Sequence, residues 1–196
     1  MKRASRGDAG DGVVPRDRIL HAAAKLFHER GYSATTVRDI AAEVGILSGS
    51  IFHHFSSKEE MLLEIMNDAA LAICIRAEAI IEREQSPEAQ LRELIRLEFD
   101  SITRETRRHY HGVLFFEWRG LSEPAKASLR RLRKRYQQTW TYVLQRCAAA
   151  GRLRCEEQAA SLILHGALRN AMTWYSPRGR YTPEQFGEIL AHLVLA

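Results

Sequence analysis

Histidine, cysteine and paired carboxylates are the side chains that most often carry chemistry. This chain of 196 residues has eight histidines and three cysteines to place. His109-Tyr110-His111 sets two imidazoles two residues apart, and on a helix such side chains point to different sides, which argues against a metal site. Cys74, Cys147 and Cys155 are odd in number and lack a paired metal spacing. They read as reduced core thiols rather than a disulfide framework. No Gly-rich phosphate loop, HExxH, G-x-S-x-G or tellingly spaced Cys–His pair occurs, and the carboxylates are scattered. An enzyme is not expected, and no cofactor is called for.

Recognition chemistry is better marked, over Val37–Phe55. A helix-turn-helix needs a small residue where two short helices cross, a turn residue that tolerates positive φ, and an apolar anchor on the second helix. Counting Val37 as position 1, Ala41 stands at 5, Gly45 at 9 and Ile51 at 15. Ile40 and Val44 supply the inward face of the first helix of the pair. Glycine at 9 takes positive φ without steric cost. That geometry leaves the second helix free to enter a major groove.

The elements that must hold this motif are helices. Ile19, Leu20, Ala23, Leu26 and Phe27 recur at helical spacing from Arg16, and Gly31 ends the run. Thr36 and Asp39 predict a reciprocal cap for a helix over Val37–Val44. Ser57-Lys58-Glu59-Glu60 is a Ser-x-x-Glu capping box that opens a long helix through Ile75. Ser86-Pro87, Pro124 and Pro183 start further helices, and an aromatic stretch runs from Tyr110 to Trp118. The expectation is all-α: about nine helices, no strand, a disordered arm over 1–14, a DNA-binding unit over 15–60 and a larger helical unit over 61–196.

Charge alone does not locate a nucleic-acid face. The net charge is +5, but residues 1–60 hold nine Lys and Arg against eight Asp and Glu. The run Arg130-Arg131-Leu132-Arg133-Lys134-Arg135 lies far downstream and reads as a solvated face. The longest apolar run, Ala69–Ile75, is far too short for the ~20 residues of a bilayer span. With no secretory signal at the N-terminus, a cytoplasmic protein is expected.

The stretch Ile19–Leu62 resembles the DNA-binding domain of the TetR family of bacterial transcriptional regulators. The matching residues are Ala23, Phe27, Gly31, Tyr32, Thr35, Val37, Ile40, Ala41, Gly45, Gly49, His54, Phe55, Lys58 and Glu59. The resemblance implies an N-terminal three-helix DNA-binding domain followed by a ligand-binding and dimerising core. It implies a homodimer on a palindromic double-stranded operator, acting as a repressor that a small molecule releases. The competing readings are a helical adaptor that has lost DNA binding and, more remotely, an enzyme of unrecognised class.

Carried over residue by residue, Lys58 is the expected phosphate contact. Ser48, Gly49, Ser50, His53 and His54 belong to the reading helix, and Arg38 lies where the DNA backbone crosses. Lys2, Arg3 and Arg6 are placed to enter a minor groove as an arm. Two positions depart from the family pattern. Phe52 replaces the usual tyrosine and loses a donor to phosphate. Leu47 replaces a small hydroxyl residue and leaves the reading helix without its usual cap, which Ser48 is expected to supply.

Beyond this unit the chain is rich in large aromatics, which suit a mostly apolar pocket. Tyr110, Phe115, Trp118, Trp140, Arg169, Asn170 and Trp174 are the expected ligand residues. Asn170–Phe186 resembles a TetR-family branch that includes steroid-catabolism regulators responsive to acyl-CoA thioesters. That resemblance implies a bulky apolar acyl effector with an anionic end. No buried carboxylate cluster is evident on the predicted pocket helices, which argues against a cationic drug.

Overall fold

The computed structural model describes residues 15–196 apart from 85, 104 and 177; the side chains of 105–107 are likewise outside the description. The expected arm over 1–14, with Lys2, Arg3 and Arg6, lies outside the described residues. The described chain is helical: α1 (Arg16–Arg30), α2 (Val37–Val44), α3 (Ser48–Ile51), α4 (Lys58–Arg83), α5 (Pro87–Thr103), α6 (Glu105–Phe116), α7 (Glu123–Ala149), α8 (Glu157–Trp174) and α9 (Pro183–Val194). A single 3-10 turn, Trp118–Gly120, separates α6 from α7. Among the described residues there is no strand, only an antiparallel bridge between Leu153 and Leu195.

Local chemistry sets the ends of the N-terminal helices. Thr36 Oγ1 accepts from Asp39 N at 3.2 Å, and Asp39 Oδ2 accepts from Thr36 N at 2.7 Å. These are the two halves of a capping box. Gly45 then takes φ 81° and ψ 32°, the left-handed conformation that the turn demands. At α4 only half of the expected box forms. Ser57 Oγ accepts from Glu60 N at 3.1 Å, but the Glu60 carboxylate accepts from Ser56 N at 2.6 Å, one residue further out. The reading helix is shorter than the pattern implied, one turn over Ser48–Ile51. Ser48 does not cap it; the N-cap is Leu47, without a side-chain hydrogen bond.

Two apolar cores result. The first packs Ile19, Ala23 and Phe27 of α1 against Ile40 and Ala41 of α2, Ile51 of α3 and Phe55. It continues through Met61, Leu62, Ile65 and Met66 of α4, and takes in Val113, Leu121 and Leu129. Packing therefore does not divide at residue 60. The second core joins Ile73, Ala77 and Ile80 of α4 to Leu91, Leu94, Ile95 and Phe99 of α5. Trp140, Val143 and Leu144 of α7, Leu164 and Leu168 of α8 and Leu190 and Val194 of α9 complete it. Each fully buried Leu, Ile, Val, Phe or Met among them contributes about 1.5–3 kcal/mol of transfer free energy. Helix α4 runs through both cores, so it ties the helix-turn-helix to the C-terminal bundle mechanically.

Candidate nucleic-acid interface and effector core

Ile51 is the buried anchor of α3, and burying it turns the rest of that helix outward. Gly49 and His53 are exposed, and Ser48, Ser50 and His54 are half-buried. Arg38 is exposed in the first turn of α2. Helices α2 and α3 pack against each other, so these residues belong to one helix-turn-helix unit. From Val44 to Lys58 the sequence has no Asp or Glu. The stretch itself presents hydroxyls, imidazoles and amides, and the Glu60 carboxylate beside it is engaged by Ser56 N and Oγ at 2.6 Å.

Lys58, the expected phosphate contact, is engaged within the protein itself. Its Nζ donates to the carbonyls of Tyr32 and Thr35, each at 2.8 Å, and lies 4.1 Å from the centroid of the Tyr32 ring. Thr35 is itself buried, and its hydroxyl donates to Gly31 O at 2.9 Å. Two of the three ammonium donors are thus used to fasten the start of α4 to the loop between α1 and α2.

The seven residues expected to bind ligand do not line one cavity. Tyr110 and Trp118 pack on the first core, Tyr110 edge-on to His21 with ring centroids 5.4 Å apart. Phe115 is half-buried on α6. Trp140 is buried in the second core. Arg169 and Asn170 are exposed on α8. Trp174 joins an aromatic cluster, its ring 4.9 Å from that of Phe186, which packs 5.1 Å from Phe99. Tyr175 lies 6.0 Å from Phe99 on the same cluster. Two clefts of about 490 and 500 Å³ open elsewhere, one between α4 and α7 and one beside α1, α2 and α6; of the seven, only Tyr110 lines either.

A polar group inside the second core was not expected. Glu98 is buried, accepts a hydrogen bond from the Tyr136 hydroxyl, and lies near His165. Burial pushes its carboxyl above the usual carboxylate range, and the Tyr136 bond opposes that shift. The Tyr136 hydroxyl is itself pushed well up by burial and by Glu98. The Trp140 ring lies 4.9 Å from that of His165, centroid to centroid, and is tilted by 57° to it. Its indole Nε1 is buried without a hydrogen bond; it lies near enough to Tyr136 to favour the phenolate, but not in bonding geometry. The signal was present in the sequence: Leu91, Leu94, Ile95, Glu98, Phe99 and Ile102 form one helical stripe, and Glu98 falls inside it.

Known proteins share this architecture. Residues 19–65 match the model of bacterial regulatory proteins of the tetR family, and residues 84–196 match the tetracyclin repressor-like C-terminal domain. The chain belongs to the TetR family of DNA-binding transcriptional regulators. The transcriptional repressor KstR2 of Mycolicibacterium smegmatis is 34% identical over 186 residues, covering 92% of this chain and 88% of that protein. The structure of the ketosteroid transcriptional regulator KstR2 of Mycobacterium tuberculosis superposes with a TM-score of 0.81 at 30% identity, covering 96% and 98% of the two chains. The superantigen PfiT superposes with a TM-score of 0.76 at 36% identity, over 96% and 98%. The chain is thus a KstR2-like transcriptional repressor, not an enzyme. No described helix is long and apolar enough to cross a membrane.

Proposed function

We propose that this repressor binds a palindromic operator as a homodimer in the cytoplasm and is released by a bulky apolar effector, an acyl-CoA thioester. The observation that carries the DNA reading is the outward face of Ser48–His54 on a buried Ile51 anchor, free of acidic residues from Val44 to Lys58. Ser48, Gly49, Ser50, His53 and His54 meet bases and backbone, and Arg38 meets phosphate. Lys58 acts by holding the start of α4 against the α1–α2 loop, with one donor left for phosphate.

The dimer reading rests on α8 and α9. Leu162, Ile163, Ile189 and Leu193 are exposed large apolar residues on these two helices. Two copies covering them make a four-helix interface. The effector reading rests on the aromatic cluster of Phe99, Trp174, Tyr175 and Phe186, with Arg169 and Asn170 one turn before Trp174. An apolar acyl skeleton suits the rings, and an anionic end suits Arg169. The likeness to the ketosteroid transcriptional regulator KstR2 of Mycobacterium tuberculosis supports a fused-ring skeleton. Trp140 and the Glu98–Tyr136 pair lie deeper in the same core, where an effector displaces α7 and α8; Tyr110, Phe115 and Trp118 relay that shift to the first core.

Helix α4 carries the response from effector core to operator. A ligand that favours one spacing of the two reading helices lowers DNA affinity, and DNA lowers ligand affinity equally. The test is a gel shift on fragments of the chain's own promoter region with acyl-CoA thioesters, the free acids and CoA alone. Release by a bulky thioester and not by CoA is expected. Tighter DNA binding with the thioester overturns the induction reading, and no response to any thioester removes the effector class.

A further inference from the structure

Two residues at the start of the reading helix are poorly explained by the fold itself. Leu47 is 81% exposed, more than any other large hydrophobic side chain described here. It also occupies the N-cap of α3, where it makes no capping hydrogen bond. A serine or threonine at such a position stabilises a helix by about 1 kcal/mol relative to an apolar residue. Gly49, two residues on, is exposed and free of positive φ, and a Cβ built on it meets nothing within 4 Å. Alanine there would have the higher helix propensity. The protein interior thus requires neither the leucine nor the glycine.

Both choices make sense against a surface that comes close from outside. Gly49 leaves the α3 backbone bare, so a partner can approach it more closely than a side chain would permit. Leu47 stands beside that gap as an apolar group waiting for an apolar contact. Its neighbours Ser48, Ser50 and His53 are polar, and no carboxylate lies between Val44 and Lys58. On the operator reading the partner is polar and anionic, and Leu47 requires of it an isolated apolar feature at the point that it reaches. In the major groove of DNA that feature is the C5-methyl of thymine, the one apolar group on a base edge.

We infer that Leu47 is a specificity-determining residue that reads the methyl group of one thymine in each operator half-site, with Gly49 providing the clearance that lets it reach. This rests on the operator reading above. A methyl contact discriminates thymine from cytosine without any hydrogen bond, so it adds sequence preference at a position where serine and histidine chemistry cannot.

The experiment replaces thymine by uracil, which removes only the methyl. Footprinting first locates the bound sequence in the chain's own promoter region. Synthetic operators then carry uracil at each thymine in turn, symmetrically in both half-sites, and affinity is measured at fixed salt. With the natural protein, one position is expected to lose affinity about fourfold per half-site, the transfer value of one methyl-sized group. Leu47→Ala should bind the thymine operator more weakly and no longer distinguish it from the uracil operator at that position. Gly49→Ala should weaken binding to both operators while raising the melting temperature. Leu47 is exposed, so the alanine variant keeps its fold, which helical circular dichroism verifies. Discrimination by Leu47→Ala equal to that of the natural protein overturns the inference and leaves the operator reading standing. So does a natural protein that binds its operator yet responds to uracil at no position. A natural protein that shifts no promoter fragment overturns the operator reading and this inference with it.

Discussion

Lys58 Nζ lies 4.1 Å from the centroid of the Tyr32 ring and donates to the Tyr32 carbonyl at 2.8 Å. The same ammonium reaches Thr35 O at 2.8 Å. A cation in the first turn of α4 opposes the helix dipole. Here the carbonyls and the ring face compensate it. The lysine that the sequence marks as a DNA contact is therefore a structural tie in this fold, and under the proposed function its effect on DNA affinity runs through the shape of the α1–α2 loop.

Lys58→Ala is expected to cost about 1.5–3 kcal/mol, the range for a hydrogen bond made by a charged donor. The melting temperature should fall together with DNA affinity. The slope of log affinity against log salt should drop by well under the ~0.9 of a fully lost phosphate contact. An unchanged melting temperature with a full drop in slope would return Lys58 to a simple phosphate role.

The helix-turn-helix was legible because its constraints are local. Thr36, Asp39, Gly45 and Ile51 each act through neighbours within a few residues, and each stands as the spacing implied. The packing of the C-terminal aromatics was less legible because it depends on which helices meet. Tyr110 and Trp118 look like pocket aromatics in sequence, yet α6 and the 3-10 turn after it place them on the first core. Glu98 was readable in principle from the stripe it shares with Leu94 and Ile95. Its partner Tyr136 lies 38 residues away, which no local pattern reveals. The role of Lys58 was hidden for the same reason, since Tyr32 lies 26 residues before it.

The contact between α1 and α6 should respond to both bulk and acid. A Cβ on Gly112 would lie 2.0 Å from His28 Nδ1, so the ring occupies the space that only glycine leaves. Gly112→Ala is expected to destabilise by about 1–3 kcal/mol, the range for overpacking. His28 also faces His109, ring centroids 5.4 Å apart, and burial followed by His109 and Arg108 lowers its pKa below the usual histidine value. A lowered folded pKa means that the unfolded chain takes up its proton first. The stability that neutral His28 supplies is therefore present above about pH 6.5 and is lost as pH falls from there through the folded value. Melting temperature measured from pH 7.5 to 5 should fall, and more shallowly in His28→Gln.

The Glu98 carboxyl should show the opposite sign. Its folded pKa is raised, first by burial. Its favourable contribution is therefore present below the ordinary carboxylate range and is lost as pH rises through the folded value. Glu98→Gln keeps a hydrogen-bonding group of the same shape and removes the titration. It should melt at or above the natural protein at neutral pH and depend less on pH above 4.5. Tyr136→Phe instead strips the buried carboxyl of its hydroxyl partner and should cost about 1–3 kcal/mol. A Glu98→Gln protein less stable than the natural one at neutral pH would mean that the ionised carboxylate has a partner not yet recognised.

Dimer formation makes the sharpest demand on α8. Leu162 is 70% exposed, and Gly166, one turn on, is also exposed, with nothing within 4 Å of a Cβ built on it. A mid-helix glycine costs about 1 kcal/mol relative to alanine, yet the protomer does not need this one. In the proposed dimer, close approach of a second α8 would account for both residues: the leucine would supply area, and the glycine would let the two backbones draw together. Leu162→Glu puts a charge into that seam, and Gly166→Leu props it open. Sedimentation at micromolar concentration should show a dimer for the natural chain and a monomer for each variant, with helical circular dichroism unchanged. Operator affinity should fall by about 100-fold or more in both, because a monomer loses the effective concentration that couples two half-sites. Variants that remain dimeric would move the interface away from the middle of α8, and a natural chain that sediments as a monomer would remove the two-fold reading altogether.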